Sequence, residues 1–264
     1  MNPRIAAVVL VVALATSLAF WIVGYRPAAD LALPARPIGD ELIRLDTPQG
    51  QKLLFESEAR TAFLPLVAFY ETQRSQTYCG VASLVMVLNA LQLPAPTADE
   101  YGTYRIFTQG NLLNGRTDNL ISQRTIVRRG MLLAEVPRVL EAYGAEVELH
   151  QAASSSVESF RALAVRYLSE PNHHVIVNYS RAALGQEGIG HISPLGAYDT
   201  ATDRFLILDV ARYKTPAIWI MTQDLFEAMA APKSPGSSQA RGFLLVRKRP
   251  DPNAEHVQSA AAPQ

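Results

Sequence analysis

The strongest constraint on the fold is a change of hydrophobic period part-way along the chain. Up to about residue 170 apolar residues recur at helical spacing, and beyond it they gather in short β-branched and aromatic runs. Cys79–Gln92 (CGVASLVMVLNALQ) places apolar side chains at 81, 84, 85, 88 and 91, a helical stripe that Leu93-Pro94-Ala95-Pro96 terminates. Met131–Tyr143, stopped by Gly144, and Val157–Leu168 are further helices by the same criterion. The strand segments are Val175–Tyr179, His191–Tyr198, Phe205–Val210, Ala217–Met221 and Gly242–Arg247. Helices followed by a run of strands predict an α+β domain with an antiparallel sheet.

The first 26 residues follow a different rule. Ile5–Val23 is apolar apart from Thr16 and Ser17, with Arg4 before it and Arg26 after it. As a helix this run covers roughly 28 Å, close to the thickness of a bilayer core. A cleaved signal peptide has a shorter apolar region and a small-x-small site, whereas Ala13-Leu14-Ala15 comes early and Phe20-Trp21-Ile22 continues beyond it. The pattern therefore favours an uncleaved signal anchor over a signal peptide. Trp21 and Tyr25 then sit at the interface, and the C-terminal bulk lies outside the cytoplasm, periplasmic if the source is bacterial. Residues 27–39 read as an extended linker, 40–249 as one domain, and 250–264 as a frayed tail.

Composition narrows the function classes. Lysine plus arginine (24) balances aspartate plus glutamate (24), so the chain lacks the basic footprint of a nucleic-acid binder. With one cysteine it can form no internal disulfide, no multi-cysteine zinc site and no iron–sulfur cluster of its own. That cysteine, Cys79, sits in the first turn of the most regular helix, where the dipole and unsatisfied N–H groups favour the thiolate.

A thiolate nucleophile needs a base and a group to orient it. Of the five histidines, His150 lies near a helix–strand joint and His256 in the tail. His173 and His174 are adjacent before a strand and point to opposite faces, as surface or strand-cap residues. His191 opens a strand, Asp199–Asp203 reads as a turn, and Phe205–Val210 returns. A hairpin centred near residue 200 or 201 makes His191 and Asp209 cross-strand neighbours, about 5 Å apart at Cβ. Asp209, a carboxylate near the end of an apolar strand, needs a partner if buried. Together Cys79, His191 and Asp209 form a candidate triad, with Asp209 holding the imidazole tautomer. Gln73, six residues before the cysteine, can donate to a developing oxyanion. This chain order matches the papain-like arrangement of glutamine, cysteine, histidine and an orienting residue. Walker A, Gly-x-Ser-x-Gly and His-Glu-x-x-His motifs are absent, and Gly185–Gly190 reads as a flexible loop that brings backbone close to a substrate.

Several blocks resemble the phytochelatin synthase family, the glutathione γ-glutamylcysteinyltransferases. They are Gln73–Leu91, Tyr104–Gln109, Asn178–Arg181, Gly185–Glu187, Gly190–Leu195 and Leu208–Lys214, and the resemblance ends near Arg241-Gly242-Phe243. It implies a papain-like fold, Cys79 as nucleophile, His191 and Asp209 as its partners, Gln73 as oxyanion donor, and Asn178, Arg181, Gly190 and Arg241 as substrate contacts. Two departures stand out. Ile189 replaces a common glycine before the histidine, and the Cys-rich C-terminal extension of the plant enzymes has no counterpart, which points to the bacterial half-length type. The implied chemistry is attack on glutathione, release of glycine, and transfer of γ-Glu-Cys to water or a second glutathione, with hydrolysis dominant. The implied partners are glutathione and metal ions held through its thiolates. No cofactor is expected on the chain itself, with cadmium or zinc acting as activator or as the thiolate complex. Two alternatives remain open, a papain-like peptidase of the double-glycine leader type and a non-enzymatic, membrane-anchored metal- or peptide-binding module.

Overall fold

A computed structural model describes residues 41–232 and 241–249. The expected anchor at 5–23, the linker at 27–39 and the tail at 250–264 lie outside the described residues. Among the described residues no helix is long and apolar enough to cross a membrane. In chain order the elements are β1 (Ile43–Arg44), α1 (Pro48–Glu56), α2 (Phe63–Val67), α3 (Cys79–Ala90), α4 (Gln123–Arg129), α5 (Val136–Ala142), β2 (Ala145–Gln151), α6 (Val157–Ser169), β3 (His173–Ser180), β4 (Gly190–Asp199), β5 (Arg204–Ile207), β6 (Ile218–Met221), α7 (Thr222–Ala230) and β7 (Gly242–Lys248). The described strands form one antiparallel sheet in the order β1-β6-β5-β4-β3-β7-β2, in keeping with the α+β expectation.

Helix α3 is more deeply placed than its apolar stripe suggests: every residue from Cys79 to Ala90 is buried. A helix apolar nearly all round belongs inside a core. Its polar residues are individually satisfied. Asn89 pairs with both the C=O and the N–H of Phe107 at 2.9 Å. Ser83, one turn below Cys79, donates to the Ile192 carbonyl at 3.0 Å and so ties α3 to β4. Helix α6 starts on a Ser156 cap and buries Phe160, whose ring lies 5.1 Å from Phe205 and 4.9 Å from Phe243. That aromatic cluster clamps α6 onto β5 and β7. The segment expected as one helix from Met131 to Tyr143 is shorter, a turn of 3-10 helix at Leu133–Glu135 followed by α5 with Pro137 in its first turn.

The β4–β5 hairpin departs from the expected register. Asp199 pairs with Arg204 and Leu195 with Ile207, with an irregularity between Leu195 and Ala197. The turn lies later than a symmetric hairpin would put it, and the bulge at Gly196 recovers only one residue of the difference. A Cβ there would come within 3.2 Å of the Leu208 and Phe63 side chains, which would have to give way to any larger residue. The Leu208 N–H still reaches the Pro194 carbonyl. Asp209 therefore falls beside Ser193, and its side chain meets His191 diagonally rather than straight across.

Two histidines also differ from expectation. His174 is buried at 1% exposure, not a surface or cap residue, whereas His173 stays partly exposed and bonds the Pro171 carbonyl at 2.8 Å. His150 lies within β2, stacked on Phe243 at 4.7 Å.

Candidate active site

Cys79 opens α3, where the Tyr78 side chain supplies no cap. The thiol is buried, which pushes its pKa up. A hydrogen bond and charge from His191, with backbone contacts from Ile192 and Gly80, outweigh burial and hold it below the ordinary thiol value. His191 answers in kind. Burial pulls its pKa down, but the charge and hydrogen bond of Asp209, with help from Cys79, raise it above the usual histidine value. His191 Nε2 is 2.8 Å from Asp209 Oδ1 and 2.9 Å from Ser193 Oγ. Nδ1 is then the nitrogen left to face the sulfur.

Asp209 is fully buried and saturated with donors. Besides His191, it accepts from Arg181 Nη2 at 2.8 and 2.7 Å and from the Ala211 N–H at 2.7 Å. Burial would raise its pKa, but His191 and Arg181 hold it below the usual carboxylate value. Tyr70 Oη donates to its carbonyl at 2.7 Å, and the next carbonyl, that of Val210, accepts the Gln73 N–H at 2.8 Å. The loop that feeds α3 is thus fastened to the strand end that carries the carboxylate.

A cavity of about 360 Å³ is lined by Gln73, Cys79, Asn178, Arg181, Gly190, His191 and Arg241; Asp209 lies behind the imidazole and outside the lining. The residues singled out in the sequence therefore meet in one place. Their occupations are uneven. Gln73 gives its two amide hydrogens to the Ser75 carbonyl at 2.8 Å and Tyr213 Oη at 2.7 Å. Arg181 holds an internal carboxylate, that of Asp209, and also reaches Gln186 and Thr215. Arg241 is buried and has its pKa lowered by burial, and its one side-chain bond among the described residues goes to a carbonyl, that of Ala231. Gly190 is exposed beside Arg241, and a Cβ at this position would lie 3.8 Å from the guanidinium, in ordinary contact. Ile189 also lines the cavity and is 69% exposed.

Some site residues escaped the sequence. Ser193 and Tyr213 touch His191 and Gln73, and Lys214, Gln76 and Arg129 line the cavity. All but Arg129 lie inside the blocks that carry the family resemblance, which do not single them out. Ser193, two positions after His191 in the same strand, is the one whose period-two spacing could have found it. Among the described residues no group of three or more His, Cys, Asp or Glu side chains could hold a metal ion.

Residues 33–243 match the family model for phytochelatin synthase, a span containing all eight candidate residues. The chain belongs to the phytochelatin synthase family. Curated relatives include glutathione gamma-glutamylcysteinyltransferase 1 of Lotus japonicus, 36% identical over 219 residues, 82% of this chain and 42% of that protein. The Arabidopsis thaliana protein of the same name is 35% identical over 221 residues, 82% of this chain and 43% of its own length. The Schizosaccharomyces pombe glutathione gamma-glutamylcysteinyltransferase is 30% identical over 175 residues, 66% of this chain and 41% of that protein. This phytochelatin synthase family member thus spans less than half the length of the curated relatives it matches.

Proposed function

We propose that the chain is a papain-like acyltransferase that cleaves glutathione through a γ-Glu-Cys thioester on Cys79. The observation that carries this reading is the unbroken Cys79–His191–Asp209 contact at the wall of a cavity where a buried arginine, Arg241, lacks a carboxylate partner among the described residues. Glutathione is anionic, and guanidinium geometry suits a carboxylate.

In this mechanism the Cys79 thiolate adds to the carbonyl carbon between cysteine and glycine. The negative charge moves to the carbonyl oxygen, which takes hydrogens from the Cys79 N–H and from Gln73 in place of Tyr213. The His191 imidazolium gives its Nδ1 proton to the glycine nitrogen, the C–N bond breaks, and glycine leaves. His191, now neutral, removes a proton from water or from the amine of a second glutathione, which attacks the thioester and frees Cys79. Water yields γ-Glu-Cys, and glutathione yields a phytochelatin. Asp209 keeps the ring in the required tautomer throughout. Asn178 and the Gly190 backbone hold the acyl part. Cadmium or zinc enters as a glutathione thiolate complex, as substrate or activator. The apolar run at 5–23 supports placing this chemistry outside the cytoplasm on a membrane anchor or after export.

The test is incubation with glutathione, detection of free glycine, and mass analysis for a γ-Glu-Cys acyl group on Cys79. Cys79→Ser is expected to abolish both signals, because a hydroxyl is not ionised at neutral pH. Glycine release by that variant would end the proposal. An export-dependent reporter fused after Arg247 is expected to be active; activity of a cytoplasm-only reporter there would reverse the orientation.

A further inference from the structure

We infer that Ser193 is a positioning residue for His191, locking the imidazole to the backbone elbow from which Asp209 projects. The inference rests on the Cys79–His191 reading above and deepens it. Ser193 is fully buried on β4, two residues from His191, and its Oγ lies 2.9 Å from His191 Nε2. The same oxygen accepts the N–H of Val210, the residue that follows Asp209, at 3.3 Å. One hydroxyl thus joins the ring to the main chain beside its carboxylate. The diagonal register makes this link useful. Asp209 lies beside Ser193 and must reach along the strands to the imidazole, so Oδ1 alone leaves the ring free to swing about a single hydrogen bond. Two acceptors at Nε2, 2.8 and 2.9 Å away, define where that N–H points and hence where Nδ1 meets the sulfur. Ser193 also differs from Asp209 in kind. A carboxylate brings charge, whereas a hydroxyl is neutral, so Ser193 fixes the direction of the Nε2–H without adding to the charge that Asp209 supplies.

The groups that bear on this ring are Cys79 from α3, Asp209 beyond β5, Arg181 beyond β3, and Tyr179 on β3, whose ring lies edge-on to the imidazole at 5.7 Å. None of them substitutes for a second acceptor at Nε2. Removing the Ser193 oxygen disfavours the imidazolium, and the Cys79 thiolate that leans on it is disfavoured in turn.

Because Cys79 is the only cysteine, alkylation by iodoacetamide followed across pH reports its ionisation without interference. Ser193→Ala is expected to move the acid limb of that profile about half a unit to higher pH and to lower kcat about tenfold with KM little changed, the effect of one lost hydrogen bond. The isosteric pair Ser193→Thr and Ser193→Val separates hydroxyl from packing: the threonine variant should keep the parent profile and the valine variant should shift it. A Ser193→Ala profile that superimposes on the parent, or threonine and valine variants that behave alike, would overturn the inference and leave the Cys79 reading standing. A parent thiol that titrates like free cysteine would instead remove the Cys79–His191 pair itself.

Discussion

His191 and His174 occupy neighbouring strands of one sheet and are equally inaccessible, at 3% and 1% exposure. Their surroundings make them opposites. His191 has a carboxylate and a hydroxyl on one ring nitrogen and the thiol beside the ring, and its pKa is raised. Among the described residues His174 has no hydrogen-bond partner on either nitrogen, and burial, reinforced by His173, drops its pKa to about 4. Burial alone silences a histidine by forbidding its charge; burial with a carboxylate makes the charged form available. The difference lies in what the segment after β5, the start of α3 and Ser193 on β4 bring to the ring, since both histidines sit on well-packed strands.

The contrast breaks most completely if Asp209 loses its charge. Every group around that carboxylate is a donor: His191 Nε2, Arg181 Nη2 and the Ala211 N–H. Asp209→Asn must turn an NH₂ toward one of them, so the imidazole adopts the wrong tautomer and Arg181 is left buried without its counter-charge. Expected are a fall in kcat of about 10³–10⁴-fold and a stability loss of about 3–5 kcal/mol. Stopped assays of glycine release and a urea titration measure the two. A variant that keeps its stability and more than a tenth of its rate would mean that Asp209 does not govern His191.

The second break comes from the silent histidine. The folded-state pKa of His174 lies below the ordinary 6.5, so as pH falls the unfolded chain takes up the proton first. Its contribution to stability is complete above about pH 6.5 and is lost as pH falls through about 4, some 3 kcal/mol in all. Urea midpoints measured from pH 7 to pH 4 should follow that loss, and His174→Leu should flatten the curve while changing kcat less than about twofold. A large loss of activity in His174→Leu would undo the distinction between the working and the idle histidine.

How legible this was in the sequence depends on range. The helix carrying Cys79 and the strand carrying His191 each announce themselves within a dozen residues, through period and punctuation. The meeting of His191 with Asp209 is legible as a partnership though not as a register, since the irregularity at Gly196, where Phe63 from a distant helix approaches closely, has no local signal. Strand β2 (AEVELHQ) is silent in the sequence because an edge strand with alternating charge has little local apolar signal; its pairing with β7 is made across the chain. Helices α1, α2, α4 and α7 and the two-residue β1 were also unmarked. For α1, α2 and α4, few buried positions per element explain the silence. Arg181 reads as a substrate contact from its surroundings in sequence, and nothing local indicates that its guanidinium reaches back to a carboxylate 28 residues later.

The smallest expected effect concerns a third buried group beside the working histidine. Tyr179 pairs with His191 across β3 and β4, is completely buried, and has a hydroxyl without a hydrogen-bond partner among the described residues. Burial, then the charge of Asp209, raises its pKa far above the ordinary phenol value, so it stays neutral and carries no proton traffic. Its ring, in contrast, supports the imidazole edge-on. Tyr179→Phe keeps that ring and deletes only the orphan hydroxyl, which loses its water on folding and gains no protein partner in return. The variant should therefore be more stable by about 1 kcal/mol, a rise in Tm of about 2–4 °C for a domain of this size, with the Cys79 alkylation profile unmoved. A fall in Tm together with a displaced profile would mean that the hydroxyl is bound in solution to the Asp209 cluster, and that the polar frame around His191 extends one strand further than its direct partners.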